Sequence, residues 1–145
     1  MKFSRKATPA KTPVVVEVHQ VIEPKQKIET FLTLIKAGEV DNAFDALLEN
    51  SIIKTNSPDG VARLKTQVSQ CVSLYGELLG FESINEVNYG VSLKSSFYLL
   101  KSKTVPLMWR FMYYQSGKDW TLINLRFSDN LEDLQMFPGK PTELS

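Results

Sequence analysis

The chain has 145 residues, 43% hydrophobic and 23% charged, with a net charge of +1. That length suits one domain burying about 70% of its unfolded surface, and the near-neutral balance leaves no global electrostatic footprint for nucleic acid or an anionic membrane. No apolar run approaches the roughly 20 residues that cross a bilayer, and one cysteine, Cys71, excludes an intrachain disulfide framework or a multi-cysteine metal site.

Residues 1–13 carry four basic side chains, no acid and two prolines. They read as a solvated tail. The basic start resembles a signal-peptide n-region, but Val14-Val15-Val16 is interrupted by Glu17 and His19, so no signal h-region follows. The expected compartment is therefore cytoplasmic. Val14 to Ile22 is β-branched and is expected as a short strand or an arm lying on the domain, so 1–23 is read as a tail or arm. The domain proper is placed at 24–137, with a C-terminal tail at 138–145.

Pro24 suits the first turn of a helix. Ile28, Phe31, Leu32 and Ile35 then recur at helical spacing, and Ala37-Gly38 supplies the stop. A second helix places Val40, Ala43, Phe44, Leu47 and Leu48 on one face, so the two form a helical hairpin. Asn56-Ser57-Pro58-Asp59 starts a third helix, with Ser57 as cap and Asp59 at the positive end of the dipole. Its stripe of Val61, Leu64, Val68, Cys71, Val72, Tyr75, Leu78 and Leu79 predicts a rod about 33 Å long, ended by Gly80.

The hydrophobic period then changes from about 3.6 to 2. Ile84, Glu86 and Asn88 alternate with Val87 and Tyr89 on a first strand. Leu93, Ser95, Phe97 and Leu99 alternate with Lys94, Ser96, Tyr98 and Leu100 on a second. Lys101-Ser102-Lys103-Thr104 turns the chain. Two aromatic-rich runs, Pro106–Tyr114 and Trp120–Asp129, flank a short Gly-containing segment and predict a β-hairpin. Leu131 to Phe137 is expected to add one helical turn.

The result is an α+β domain, three N-terminal helices packed on a curved antiparallel four-stranded sheet. The third and fourth strands are apolar on both faces, with Leu107, Trp109, Phe111 and Tyr113 marking one and Met108, Met112 and Tyr114 the other. A sheet with one wet face alternates more cleanly. The second face is therefore expected to be covered, by the N-terminal arm or by another subunit, which makes Met108, Met112 and Tyr114 a candidate dimer face.

The helix pair Phe31–Gly38 and Val40–Asn50, the helix from Ser57, and Gly80-Phe81-Glu82-Ser83-Ile84 opening the sheet resemble the nuclear transport factor two-like superfamily, the cystatin-like cone fold. The most specific part is the closing hairpin, with Trp109, Phe111, Tyr113, Tyr114, Asp119-Trp120 and Phe127-Ser128-Asp129. The resemblance spans roughly residues 25–137 and matches no catalytic signature. It implies a conical pocket between helices and sheet, which family members use for isomerisation, dehydration or ligand binding, and dimerisation through the sheet.

Enzymes of that superfamily commonly use an Asp–His pair or a carboxylate with a tyrosine. The one histidine, His19, precedes the first pocket-forming helix and fits the former poorly. The latter needs a carboxyl poised by an apolar pocket and a phenol that donates to a developing oxyanion. Tyr75, Glu86, Tyr98, Trp109, Phe111 and Tyr113 are the candidate pocket-lining residues, and strand tyrosines are more often core than catalytic. Asp129 follows the last strand, where an aspartate commonly caps the next turn.

Cys71 on the helix stripe reads as a small buried hydrophobe rather than a nucleophile. No metal or haem spacing and no phosphate-binding glycine loop occurs, so no cofactor is expected. Lys94, Lys101 and Lys103 with Tyr98 could line a nucleic-acid surface, but solubilised strand edges explain them better. The expectation is a non-enzymatic domain binding a small apolar ligand or a protein partner as a homodimer, without nucleic-acid or membrane partners. The alternatives are a histidine-free isomerase or dehydratase and a filled-core interaction module.

Overall fold

A computed structural model describes residues 21–136, with the side chains of Gln135 and Met136 left aside. The expected basic tail, the arm from Val14, His19 and the tail at 138–145 lie outside the described residues. The element order is α1 (Pro24–Lys36), α2 (Val40–Leu47), α3 (Ile52–Asn56), α4 (Pro58–Tyr75), β1 (Leu78–Tyr89), β2 (Leu93–Ser102), β3 (Pro106–Gln115) and β4 (Trp120–Ser128). A 3₁₀ turn, Leu131–Met136, follows. This is the expected α+β arrangement, with N-terminal helices followed by an antiparallel four-stranded meander in the order β1-β2-β3-β4.

The helical stripe of α1 is realised fully, for Ile28, Phe31, Leu32 and Ile35 are all at 0% exposure. Each such side chain contributes about 1.5–3 kcal/mol by leaving water, far more than its helix propensity. Gly38, at φ +85°, lets the chain reverse into α2, and its amide bonds to the Ile35 carbonyl at 3.0 Å. The α1–α2 hairpin is locked by an edge-to-face contact between Phe31 and Phe44, with ring centroids 5.0 Å apart.

Two expectations about the long helix need correction. It ends at Tyr75 after 18 residues, about 27 Å rather than 33 Å. Gly76 stops it at φ 91°, ψ −161°, a conformation essentially reserved for glycine. Leu78 and Leu79, assigned by spacing to the helical stripe, instead open β1. An apolar pair fits either period, so the backbone conformation at Gly76 decides.

A fourth, five-residue helix, α3, also precedes α4 where three helices were expected. Ser51 caps it by accepting the Ile53 amide at 3.2 Å, while its hydroxyl donates to the Leu122 carbonyl on β4 at 2.7 Å. Ser57 occupies the N-cap of α4, but its side chain makes no capping bond.

Alternation along each strand separates two sheet faces. Leu107, Trp109, Phe111 and Tyr113 of β3 lie with Tyr98 and Leu100 of β2 in the cluster shared with the helices. Phe97 and Met108 form a separate cluster on the opposite face, packed by Val87 and Leu99. Both are fully buried in the single chain. On that face Arg110 lies directly across from Arg126. Burial and then the charge of Arg126 weaken the hold of Arg110 on its proton, while its Nη2 donates to Asn124 Oδ1 at 2.6 Å.

Both strand edges are guarded. Register shifts at Leu78/Gly80 and Ser83/Asn85 put irregularities into β1, and α3 packs along β4, whose pairing shifts beside Met112/Tyr113. Irregular or covered edges resist pairing with another chain. Among the described residues no helix is long and apolar enough to cross a membrane.

Candidate functional site

Glu86, Tyr98, Trp109, Phe111 and Tyr113 all lie on the helix-facing side of the sheet, as pairing of Glu86 with Ser96 and of Tyr98 with Trp109 dictates. Tyr98, Trp109 and Phe111 meet one another, while the polar groups of Glu86, Tyr98 and Tyr113 have separate surroundings.

Trp109 and Phe111 are fully buried and stack at 5.8 Å, with planes 11° apart. Phe31 of α1 drives into both, its ring edge-on at 5.1 Å from Trp109 and 5.9 Å from Phe111. Tyr98 meets Phe111 edge-on at 6.1 Å, and Phe127 tilts against Trp109 at 4.6 Å. Edge-to-face and offset pairs of this kind are each worth about 0.5–1.5 kcal/mol beyond area burial. Interlocked rings occupy the centre of the helix–sheet interface.

Tyr75 closes the C-terminal end of α4 against the sheet. Its hydroxyl donates to Asp129 Oδ2 at 2.8 Å, and the Cys71 thiol, one helical turn earlier, lies 3.7 Å from the same oxygen. That hydrogen bond to Asp129 raises the Tyr75 pKa. Burial, with the Asp129 carboxylate adding to it, pushes the Cys71 thiol up to about 11. A thiol kept protonated at neutral pH is a poor nucleophile. The backbone amide of Glu132 is capped by Asn130 Oδ1 at 3.0 Å, so Asn130, not Asp129, caps the closing turn.

Tyr98 is buried and donates to Glu29 Oε2 of α1 at 3.3 Å. Burial first, then the Glu29 and Glu86 carboxylates, push its phenol up to about 12. Glu86 in turn pairs with Lys94 at 2.9 Å, and the Lys94 ammonium sits 5.1 Å from the Trp120 ring centroid. Tyr113 is 1% exposed, and burial raises its pKa strongly. Among the described residues its hydroxyl and the Trp109 Nε1 have no hydrogen-bond partner.

Tyr75 with Asp129 and Tyr98 with Glu29 are therefore phenol–carboxylate pairs at different places on the molecule. Glu29 was not singled out from sequence. It follows the buried Ile28 on the border of the α1 stripe, and periodicity alone does not tell a border carboxylate from a solvated one. On the opposite face, Met108 is fully buried, Met112 is half-buried and Tyr114 is exposed. Lys101 pairs with Glu82 at 3.7 Å. No cluster of three or more metal-ligating side chains occurs among the described residues.

Comparison with protein-family models, with curated proteins and with solved structures gives no match for this chain. The chain is an α+β protein with N-terminal helices and a four-stranded antiparallel sheet.

Proposed function

We propose that the chain is a non-enzymatic interaction domain of the nuclear transport factor two-like kind, with a filled core and a surface that meets a protein partner, a second copy included. The observation that carries this reading is the interlocking of Phe31 with Phe44, Trp109 and Phe111, all at or below 1% exposure. Rings packed this closely support a filled core in place of the ligand volume of a cone fold. The doubly apolar β3 strand favours a contact through the sheet, where Tyr114 and Met112 are the accessible members of the candidate dimer face.

Native mass spectrometry of the purified chain, followed by denaturation of the same sample, tests the reading. A mass free of adducts, with dimers or partner complexes, is the expected result. A small molecule carried natively and released on denaturation overturns the filled core and restores a ligand-binding cone. A strictly monomeric mass at high micromolar concentration overturns the homodimer.

One observation favours a second reading, a carboxylate–tyrosine isomerase or dehydratase: the 2.8 Å bond from Tyr75 to Asp129. A phenol already donating to a carboxylate must exchange that bond for one to substrate before it can act on an oxyanion. Turnover of small enolisable ketones that is lost in both Tyr75→Phe and Asp129→Asn would support it. Turnover unaffected by either would remove it.

A further inference from the structure

We propose that the cleft between α1 and the edge strand β1 binds an organic ammonium group, with Glu29 as counter-ion and Phe81 as apolar wall. This site is separate from any surface used in the interaction reading and does not rest on it. The cleft has a volume of about 480 Å3 and is lined by Gln26, Glu29, Thr30, Thr33, Leu34 and Phe81. Among the described residues it holds one carboxylate, three neutral polar side chains and two apolar ones, and no cation.

Three observations select a cation as occupant. Tyr98 Oη takes only Oε2 of Glu29, at 3.3 Å, and among the described residues Glu29 belongs to no ion pair. Lys25, one turn earlier on α1, is exposed and forms no ion pair with it. A half-buried carboxylate without a cation is stabilised by any positive group that reaches it.

The second observation is aromatic. The Phe81 and Tyr98 rings meet at 6.3 Å and 54°, a corner beside the carboxylate, and ring faces attract cations while offering apolar contact to their alkyl chains. The third is the local charge balance. Burial first, then Glu29 and Glu86, hold the Tyr98 phenol in its neutral form, and Lys94 already answers Glu86 at 2.9 Å, which leaves Glu29 as the one of the two without an ion pair among the described residues. Anions are repelled here, and a neutral ligand gains only the wall. The ammonium could belong to a free alkylamine or to a lysine side chain, and the chemistry recognised is the same.

The test is an NMR titration of the full chain with n-butylammonium chloride at constant ionic strength, against butan-1-ol as its uncharged counterpart. Saturable shifts at the amides of Gln26, Thr30, Thr33 and Phe81 are expected, with the alcohol weaker by about tenfold. Glu29→Gln keeps an oxygen that accepts the Tyr98 bond, so the fold should hold while ammonium affinity falls about fivefold or more. Phe81→Leu should give a smaller loss and serves as the second variant.

Equal binding of alcohol and ammonium, unchanged affinity in Glu29→Gln, or shifts scattered over the surface would each overturn the site. A lysine tripeptide blocked at both ends distinguishes the sources. Binding tenfold tighter than butylammonium identifies a protein lysine as the occupant, and equal or weaker binding identifies a free amine.

Discussion

Truncating Phe31 to alanine is the most direct probe of the proposed filled core. Its ring is fully buried and touches Phe44, Trp109 and Phe111 at 5.0, 5.1 and 5.9 Å, in each case edge-on. Removing a buried phenyl ring costs about 3–5 kcal/mol when the surroundings cannot collapse into the void. Three interlocked ring neighbours on two elements cannot, and their lost edge contacts place Phe31→Ala at the top of that range, about 4–5 kcal/mol. Against a total stability of about 5–15 kcal/mol this is a large fraction, equivalent to a Tm lower by about 8–20 °C for a chain of this size. Phe31→Leu refills most of the volume and should cost about 1–2 kcal/mol. Urea denaturation with an unchanged slope would read both values. A loss under about 2 kcal/mol for Phe31→Ala would refute the reasoning, because it would mean that the rings bound a pre-existing cavity.

Three further outcomes are expected. Gly76→Ala should cost about 1–3 kcal/mol in urea denaturation, from backbone strain at φ 91° alone, because its added Cβ would meet only Lys103 Cβ at an ordinary 3.6 Å; a loss below about 0.5 kcal/mol would contradict the strained cap. The contribution of the buried thiol and phenols to stability should be level below about pH 8 and fall as pH rises from about 9 toward 12. The sign follows because Cys71, Tyr98 and Tyr113 all have raised folded-state pKa values, to about 11 and about 12 for the first two, so the unfolded chain releases these protons first. Urea midpoints at pH 7, 9 and 10.5 would show it, and stability that rises with alkalinity would contradict the burial of these groups. Finally, Asp129→Asn should move the Tyr75 ionisation downward, since that carboxylate is the main cause of its raised pKa; ultraviolet difference titration of the variant against Tyr75→Phe would read the shift, and an unmoved midpoint would break the assigned contact.

Much of the architecture was legible in the residues. The stripe of Ile28, Phe31, Leu32 and Ile35 marks α1 because burial on one face needs helical spacing, and all four are buried. The aromatic runs about Gly117 mark the β3–β4 hairpin, and Trp109, Phe111 and Tyr113 share a face because strand alternation leaves no other choice. The α4 end was misplaced because Leu78 and Leu79 satisfy helix and strand periods alike, and only the glycine-restricted backbone at Gly76 separates them. The α3 turn carries no apolar stripe of its own, having no buried residue, and it exists through the Ser51 bonds to Ile53 and to β4.

Sequence by itself determined the class of the fold, helices first and a four-stranded meander after, and the two faces of β3, since these follow from local periodicity and turn chemistry, whereas register shifts break the alternation in β1 and beside β4. The tertiary structure decided which side chains meet. Tyr75 with Asp129 and Tyr98 with Glu29 are separated by 54 and 69 positions along the chain. Such contacts depend on how α4 and α1 are seated over the sheet, a matter of shape complementarity between distant surfaces that no local pattern encodes. For the same reason, periodicity marks an inward face without saying what packs against it, and the contacts of Phe31 with Trp109 and Phe111 exist only once α1 is docked.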